Sequence, residues 1–158
     1  MNTPSPTPTP SPTSNINITN INITPGHATI LNNCTHAIYI WSVTNTTSPQ
    51  TTLNQSLSYS EPFRHDPASG GVSLKITTVR NGLYTGAPQT VFAYNWVDGQ
   101  VWYDLSDVYG DPFAGRRVSV LRYGGGQEMI VWEDGVPPRG SQVRVLPGDV
   151  DLVLRVCG

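Results

Sequence analysis

Hydrophobic and polar positions alternate with a period of two along most of the chain. Ile38 and Ile40 alternate with Tyr39 and Trp41, Val72, Leu74 and Ile76 recur at every second place, as do Val118 and Val120, and Val150, Leu152, Leu154 and Val156 close the chain. Successive side chains of a strand point to opposite faces, so this spacing predicts half-buried β-strands. Between the runs stand Gly70-Gly71, Asn81-Gly82, Asp98-Gly99, Gly124-Gly125-Gly126, Asp134-Gly135, Pro137-Pro138 and Pro147-Gly148, residues that supply the positive or fixed φ that turns require. No window sustains an apolar stripe at helical spacing. The expected architecture is all-β, a β-sandwich whose first and last strands are neighbours.

The N-terminal segment follows a different rule. Residues 3–13, TPSPTPTPSPT, alternate proline with small hydroxyl residues, which favours solvated polyproline II structure and leaves nothing to bury. Two copies of NINIT follow, Asn15 to Thr19 and Asn20 to Thr24. They read as further linker, with an edge strand as the alternative. Residues 1–27 are therefore expected to be a Pro/Thr/Asn-rich disordered linker or stalk, and residues 28–158 the folded domain.

Composition narrows the setting. The 158 residues are 37% hydrophobic, enough for one core, but only 13% charged, about half the usual quarter. Formal net charge is −2 and the nine basic residues are scattered apart from Arg116-Arg117; nucleic acid and anionic lipid lack a basic stripe to bind. No apolar run is long enough to span a membrane, and the polar Met1-Asn2-Thr3-Pro4 start does not resemble a signal peptide. The expectation is that a leader was removed or that export is not encoded in this chain.

The two cysteines, Cys34 and Cys157, stand near the start and the end of the domain. A bridge between them would staple the termini, the alternative being a pair of buried thiols. Sequons at Asn17, Asn22, Asn33, Asn45 and Asn54 and a single lysine, Lys75, favour an exported, oxidised protein with candidate N-glycosylation sites.

The segment with most candidate chemistry is GQVWYDLSDVYGD, residues 99–111. On a strand, Val101, Tyr103 and Leu105 would face the interior, and Trp102 and Asp104 the outside. An exposed Trp beside an Asp suits a sugar ring, which stacks on the aromatic while polar groups take its hydroxyls. Tyr109, Asp107 and Asp111 complete the candidate surface. Asp104 and Asp107 would converge only if the chain turned at Ser106, and the same acids would otherwise shape a turn by accepting backbone amide hydrogen bonds. Calcium is disfavoured because the acids lack the D-x-D-x-D-G rhythm. His27, His36 and His65 are too dispersed for a transition-metal site, with His36 expected in a strand. No G-x-S-x-G element supports a nucleophile. Neither a metal, a cofactor nor a catalytic residue is expected.

Ala28 to Thr35, ATILNNCT, resembles the first strand of thaumatin-like proteins. The blocks SEPFRHDPASGGVSLKIT (60–77), NGLYTGAPQTVFAYN (81–95), VWYDLSDVYGDPFAG (101–115) and DGVPPRGSQVRV (134–145) are similar to the small secreted fungal proteins of the Bys1 family, over roughly residues 28–157. The resemblance implies a small thaumatin-like β-sandwich in which the first cysteine pairs with the last. Further cysteines that commonly flank the DGVPP block in that family are absent here. The larger thaumatin-like proteins carry an acidic cleft credited with weak β-1,3-glucanase activity. Asp104 corresponds to one of its acids, but Tyr109 and Val91 stand where two others would be, and the cleft arginine maps near Lys75 or Ile76. Glycoside hydrolysis needs two carboxyl groups flanking one bond. The sequence therefore predicts a secreted, non-enzymatic, monomeric thaumatin-like protein acting at the cell wall or extracellularly, its partner a β-glucan-type polysaccharide on the Trp102 and Asp104 face. The alternatives are a weak endo-β-1,3-glucanase using Asp104 with Asp107 or Glu61, and a host-interaction or antimicrobial protein.

Overall fold

The computed structural model describes residues 23–158. Asn17, Asn22, and the Pro/Thr and most of the NINIT segments lie outside the described residues. In chain order the elements are β1 (His27–Asn32), β2 (Ile38–Val43), β3 (Thr51–Leu53), β4 (Ser58–Pro62), β5 (Val72–Thr77), α1 (Gly82–Thr85), β6 (Gln89–Val97), β7 (Gln100–Val108), β8 (Val118–Arg122), β9 (Glu128–Trp132), β10 (Arg144–Pro147) and β11 (Leu152–Val156). They form two sheets, a five-stranded one in the order β4-β1-β11-β8-β9 and a six-stranded one in the order β10-β7-β6-β5-β2-β3.

Alternation decides which residues fill the space between the sheets. Ile30, Leu152 and Leu154 from the five-stranded sheet and Ile40, Leu74, Phe92 and Leu105 from the six-stranded sheet are buried in one core, where apolar burial is worth roughly 25 cal/mol per Å². The first and last strands are neighbours, as expected from the placement of the two cysteines: β1 runs parallel to β11, with Ala28 opposite Leu152 and Asn32 opposite Val156. Just beyond that pairing, Cys34 and Cys157 form the disulfide, their Cα atoms 5.0 Å apart. Asn32, fully buried, secures the turn leading to it: its amide donates to the carbonyls of His36 and Leu53, and its oxygen accepts from the Cys34 amide.

At the opposite end of the sandwich Gly148 brings three segments together. Its amide donates to Gly99 O and its carbonyl accepts from the Gly26 amide, at 2.8 Å each, and from Trp96 Nε1 at 3.2 Å. A Cβ there would stand 2.4 Å from that indole nitrogen, so only glycine permits the approach.

The structure departs from the pattern in three places. Val150 lies in the turn before β11, which starts at Leu152. His36 is exposed in the bend before β2, because the chain must turn there to cross from one sheet to the other. Trp41 occupies an outer-face position of β2 and is nonetheless fully buried, since the segment around α1 folds over it and sets Tyr84 edge-on to its ring at 6.3 Å. Among the described residues no helix is long and apolar enough to cross a membrane, and no group of three potential metal ligands occurs.

Candidate functional site

The segment Gln100–Val108 forms β7, paired to β6 through a two-residue hairpin at Asp98-Gly99. Both turn residues have positive φ, 52° and 72°, the conformation that matches the twist of the flanking strands. Val101, Tyr103 and Leu105 are buried, and Trp102 is 48% exposed on the outer face with Asp104 beside it along the strand. The expected division of faces is the one observed.

Around them the outer face is concave, and the register explains why. Val43 lies opposite Ser73, Ser73 opposite Ala93, and Ala93 opposite Asp104, so a row of short side chains crosses the middle of the sheet. Longer ones stand on either side: Lys75 on one flank, Asn95 and Trp102 on the other. The result is an open trough of about 540 Å³. Asp104 and Lys75 take part in none of the ion pairs found among the described residues. Lys75 was singled out in the sequence only as the lone lysine and as a neighbour of the cleft arginine's position. Its place across the Ser73 and Ala93 floor from Asn95 and Trp102 required the register.

The other acids of the segment are placed differently. β7 runs straight through Ser106, so Asp104 and Asp107 stay on opposite faces and the turn that would bring them together does not form. Asp107 accepts a hydrogen bond from the Thr90 hydroxyl at 2.6 Å, and its second oxygen is buried without a partner. Burial pushes this carboxyl up to about 7; the Thr90 hydrogen bond opposes the shift and the neighbouring Asp111 adds to it. The acid therefore reaches a side chain on β6, where backbone amides were expected to be its partners. Tyr109 (φ 62°) and Gly110 (φ 114°) end the strand, which leaves Tyr109 71% exposed and Asp111 exposed in the turn, away from the trough lining.

Glu61 is a site the sequence did not resolve. It lies on β4, faces inward and is almost buried, and its carboxylate accepts from Tyr59 and Arg64 at 2.7 Å each, from Ser42 at 3.2 Å and from Tyr94. Burial, then the hydrogen bond to Glu61, raises the Tyr59 hydroxyl to about 12 and moves Tyr94 upward in the same way. Glu61 thus occupies the space between the sheets, across the six-stranded sheet from Asp104, and the two acids do not share a cavity. The sequons at Asn33, Asn45 and Asn54 are all exposed, each outside the strands.

Two facing sheets with adjacent parallel terminal strands bridged across their ends make this a thaumatin-like sandwich. Two solved structures share it. One is the protein elicitor MoHrip2 from Magnaporthe oryzae, with a TM-score of 0.67 and 24% identity, covering 84% of this chain and 99% of that one. The other is the thaumatin-like xylanase inhibitor TLXI, with a TM-score of 0.54 and 13% identity, covering 83% and 99%. At these identities they establish the fold alone. Residues 15–158 match the family model described as Blastomyces yeast-phase-specific protein, and the chain belongs to this family, Bys1. It is 33% identical over 142 residues to an antigenic thaumatin-like protein of Arthroderma benhamiae, covering 84% of this chain and 71% of the relative. It is also 33% identical over 100 residues to the secreted thaumatin-like protein calA of Emericella nidulans, covering 60% of this chain and 56% of that relative.

Proposed function

We propose that the trough on the six-stranded sheet binds neutral polysaccharide of the β-glucan type, weakly, and that the protein works outside the cell, at the wall or in the medium, without catalysing a reaction. The observation that carries this reading is Trp102, half-exposed on the trough wall with Asp104 next to it on β7. A sugar ring offers an apolar face to stack on the indole and hydroxyls for a carboxylate and an amide, and Asp104 and Asn95 supply those. The names of the two relatives, one secreted and one antigenic, support an extracellular setting, in which Asn33, Asn45 and Asn54 are open to glycosylation.

The non-catalytic part rests on the separation of the acids. A glycosidase places two carboxyl groups on either side of one bond. Asp104 and Asp107 both border the cleft beside the Pro137–Val143 loop but lie on opposite faces of β7, Asp107 being turned to Thr90, and Glu61 is buried under four hydrogen bonds between the sheets.

Retention on insoluble β-1,3-glucan tests the binding. The wild-type protein is expected in the pellet and Trp102→Ala in the supernatant; equal retention of both, or none of either, refutes the reading. Reducing-end release from laminarin is expected to stay at background, and release abolished by Asp104→Asn would establish an enzyme instead.

A further inference from the structure

The trough does not end at β7. β10 pairs with β7 only from Gln100 to Tyr103, with Arg144 opposite Tyr103. From Asp104 onward that edge of β7 has no strand beside it, and the loop from Pro137 to Val143 passes there instead. Between loop and edge lies a second cleft of about 270 Å³, lined by Ser106, Asp107, Ser141 and Gln142. Both cavities are lined by Asp104 and Val143. They are thus two compartments of one groove that meet at those two residues.

The dimensions say what such a groove accommodates. The row Val43, Ser73, Ala93, Asp104 spans three interstrand gaps of about 4.8 Å each, roughly 14 Å in all, before the second compartment begins. That exceeds one sugar ring and suits a linear chain of several. The second compartment sets the hydroxyl and amide groups of Ser106, Ser141 and Gln142 beside the apolar surfaces of Pro137, Pro138 and Val143. Gln142 has only long hydrogen bonds, 3.4 Å to Gly140 O and 3.4 Å from Trp132 Nε1, so its amide can turn toward hydroxyl groups. The groove carries the Asp104 carboxylate and the single cation Lys75, with Asp107 turned to Thr90, so it offers no cluster of cations to a polyanionic chain.

We infer that the ligand is a linear, uncharged glycan several residues long, lying across the strands and continuing past Asp104 and Val143 under the loop, where Ser106 and Gln142 form a second set of subsites. This rests on the carbohydrate-binding reading above and adds a requirement for chain length that a single aromatic platform would not impose.

Calorimetric titration with laminari-oligosaccharides from two to seven units tests it. Affinity is expected to rise at least tenfold between the shortest and longest members. Ser106→Phe, which fills the second compartment from an outer position of β7, is expected to reduce the longest oligomer to the affinity of a short one while leaving the short one unchanged. Gln142→Ala is expected to act in the same direction by several-fold, with the melting temperature recorded for both variants. Equal affinity at all lengths, or equal loss for short and long oligomers in Ser106→Phe, overturns the second compartment while leaving the Trp102 site standing. No binding at any length removes both. Equal affinity for galacturonate oligomers of the same length overturns the uncharged class.

Discussion

The hydroxyl of Tyr94, on β6, donates to the carboxylate of Glu61, on β4, so a tyrosine of one sheet is bound to an acid of the other. Arg64 joins them from the loop after β4, at 2.7 Å from Glu61 and 3.1 Å from the Tyr94 oxygen, and also reaches Ser42 on β2. The arrangement is a polar clasp along one side of the sandwich.

Removing one hydroxyl and removing the acid should differ in size. In Tyr94→Phe the carboxylate keeps Arg64, Tyr59 and Ser42, and a loss of about 1 to 2 kcal/mol is expected. Glu61→Ala strips Arg64, Ser42 and both tyrosines of their shared acceptor at once. Because Arg64 remains 43% exposed to solvent, the loss should be about 3 kcal/mol, at the low end for a broken buried pair. Urea unfolding of both variants checks the order, and a larger loss for Tyr94→Phe would show that the clasp is not centred on the acid.

Asp107 predicts a pH dependence of stability. Its carboxyl titrates near 7 in the folded protein and near 3.9 in an unfolded chain. Between about 4 and 7 the folded state holds the extra proton, so this group's contribution falls as pH rises through that window and is constant on either side. The full shift would amount to about 4 kcal/mol, but Asp107 is only partly buried and solvent screening should reduce this to about 1 to 2 kcal/mol. Asp107→Asn keeps an acceptor for Thr90 and does not ionise. The stability difference between variant and wild type, measured by urea unfolding from pH 4 to 8, should shift in the variant's favour across the window; a difference independent of pH would refute the assignment.

The two acids also mark what the sequence discloses and what it does not. Asp104 could be assigned to the outer face with Trp102 because alternation along one strand needs no knowledge of any other strand. The trough could not, since its floor is Ser73 and Ala93, unremarkable residues made neighbours of Asp104 only by the β5, β6 and β7 register. Glu61 was legible as an acid but not as a buried one, because its partners belong to the facing sheet. Trp41 reads as a half-exposed alternate position and is covered by a segment whose path over the sheet no local pattern encodes. The adjacency of the terminal strands followed from the cysteine positions and the family resemblance, both global features of the chain.

The Cys34–Cys157 bridge closes a loop of 123 residues, for which the chain-entropy model gives about 5 kcal/mol. The model has been found to overstate the effect when the unfolded chain retains structure, so 2 to 5 kcal/mol is expected from Cys34→Ser/Cys157→Ser. That corresponds to a fall in melting temperature of roughly 10 °C for a domain of this size. Scanning calorimetry of the double variant checks it. An unchanged melting temperature would mean that the β1 and β11 pairing holds the termini without covalent help.

Gly135, in the turn after β9, tests how tightly the segment before β8 is held. It has φ of 65°, and a Cβ on it would stand 2.1 Å from Phe113 O and 2.3 Å from Arg116 O. Neither carbonyl can move freely, because Arg116 N donates to Phe113 O, Gly115 N donates to Asp134 O, and the Phe113 ring is buried in the core. Gly135→Ala therefore combines left-handed strain with a backbone clash, and a loss of about 3 kcal/mol or more is expected. Gly140 is the control: its φ is 97° but nothing lies within 4 Å of its Cβ position, so Gly140→Ala should show the conformational term alone, about 1 kcal/mol. If urea unfolding gives equal losses for the two variants, the close approach of Phe113 and Arg116 to Gly135 does not constrain this end of the sandwich.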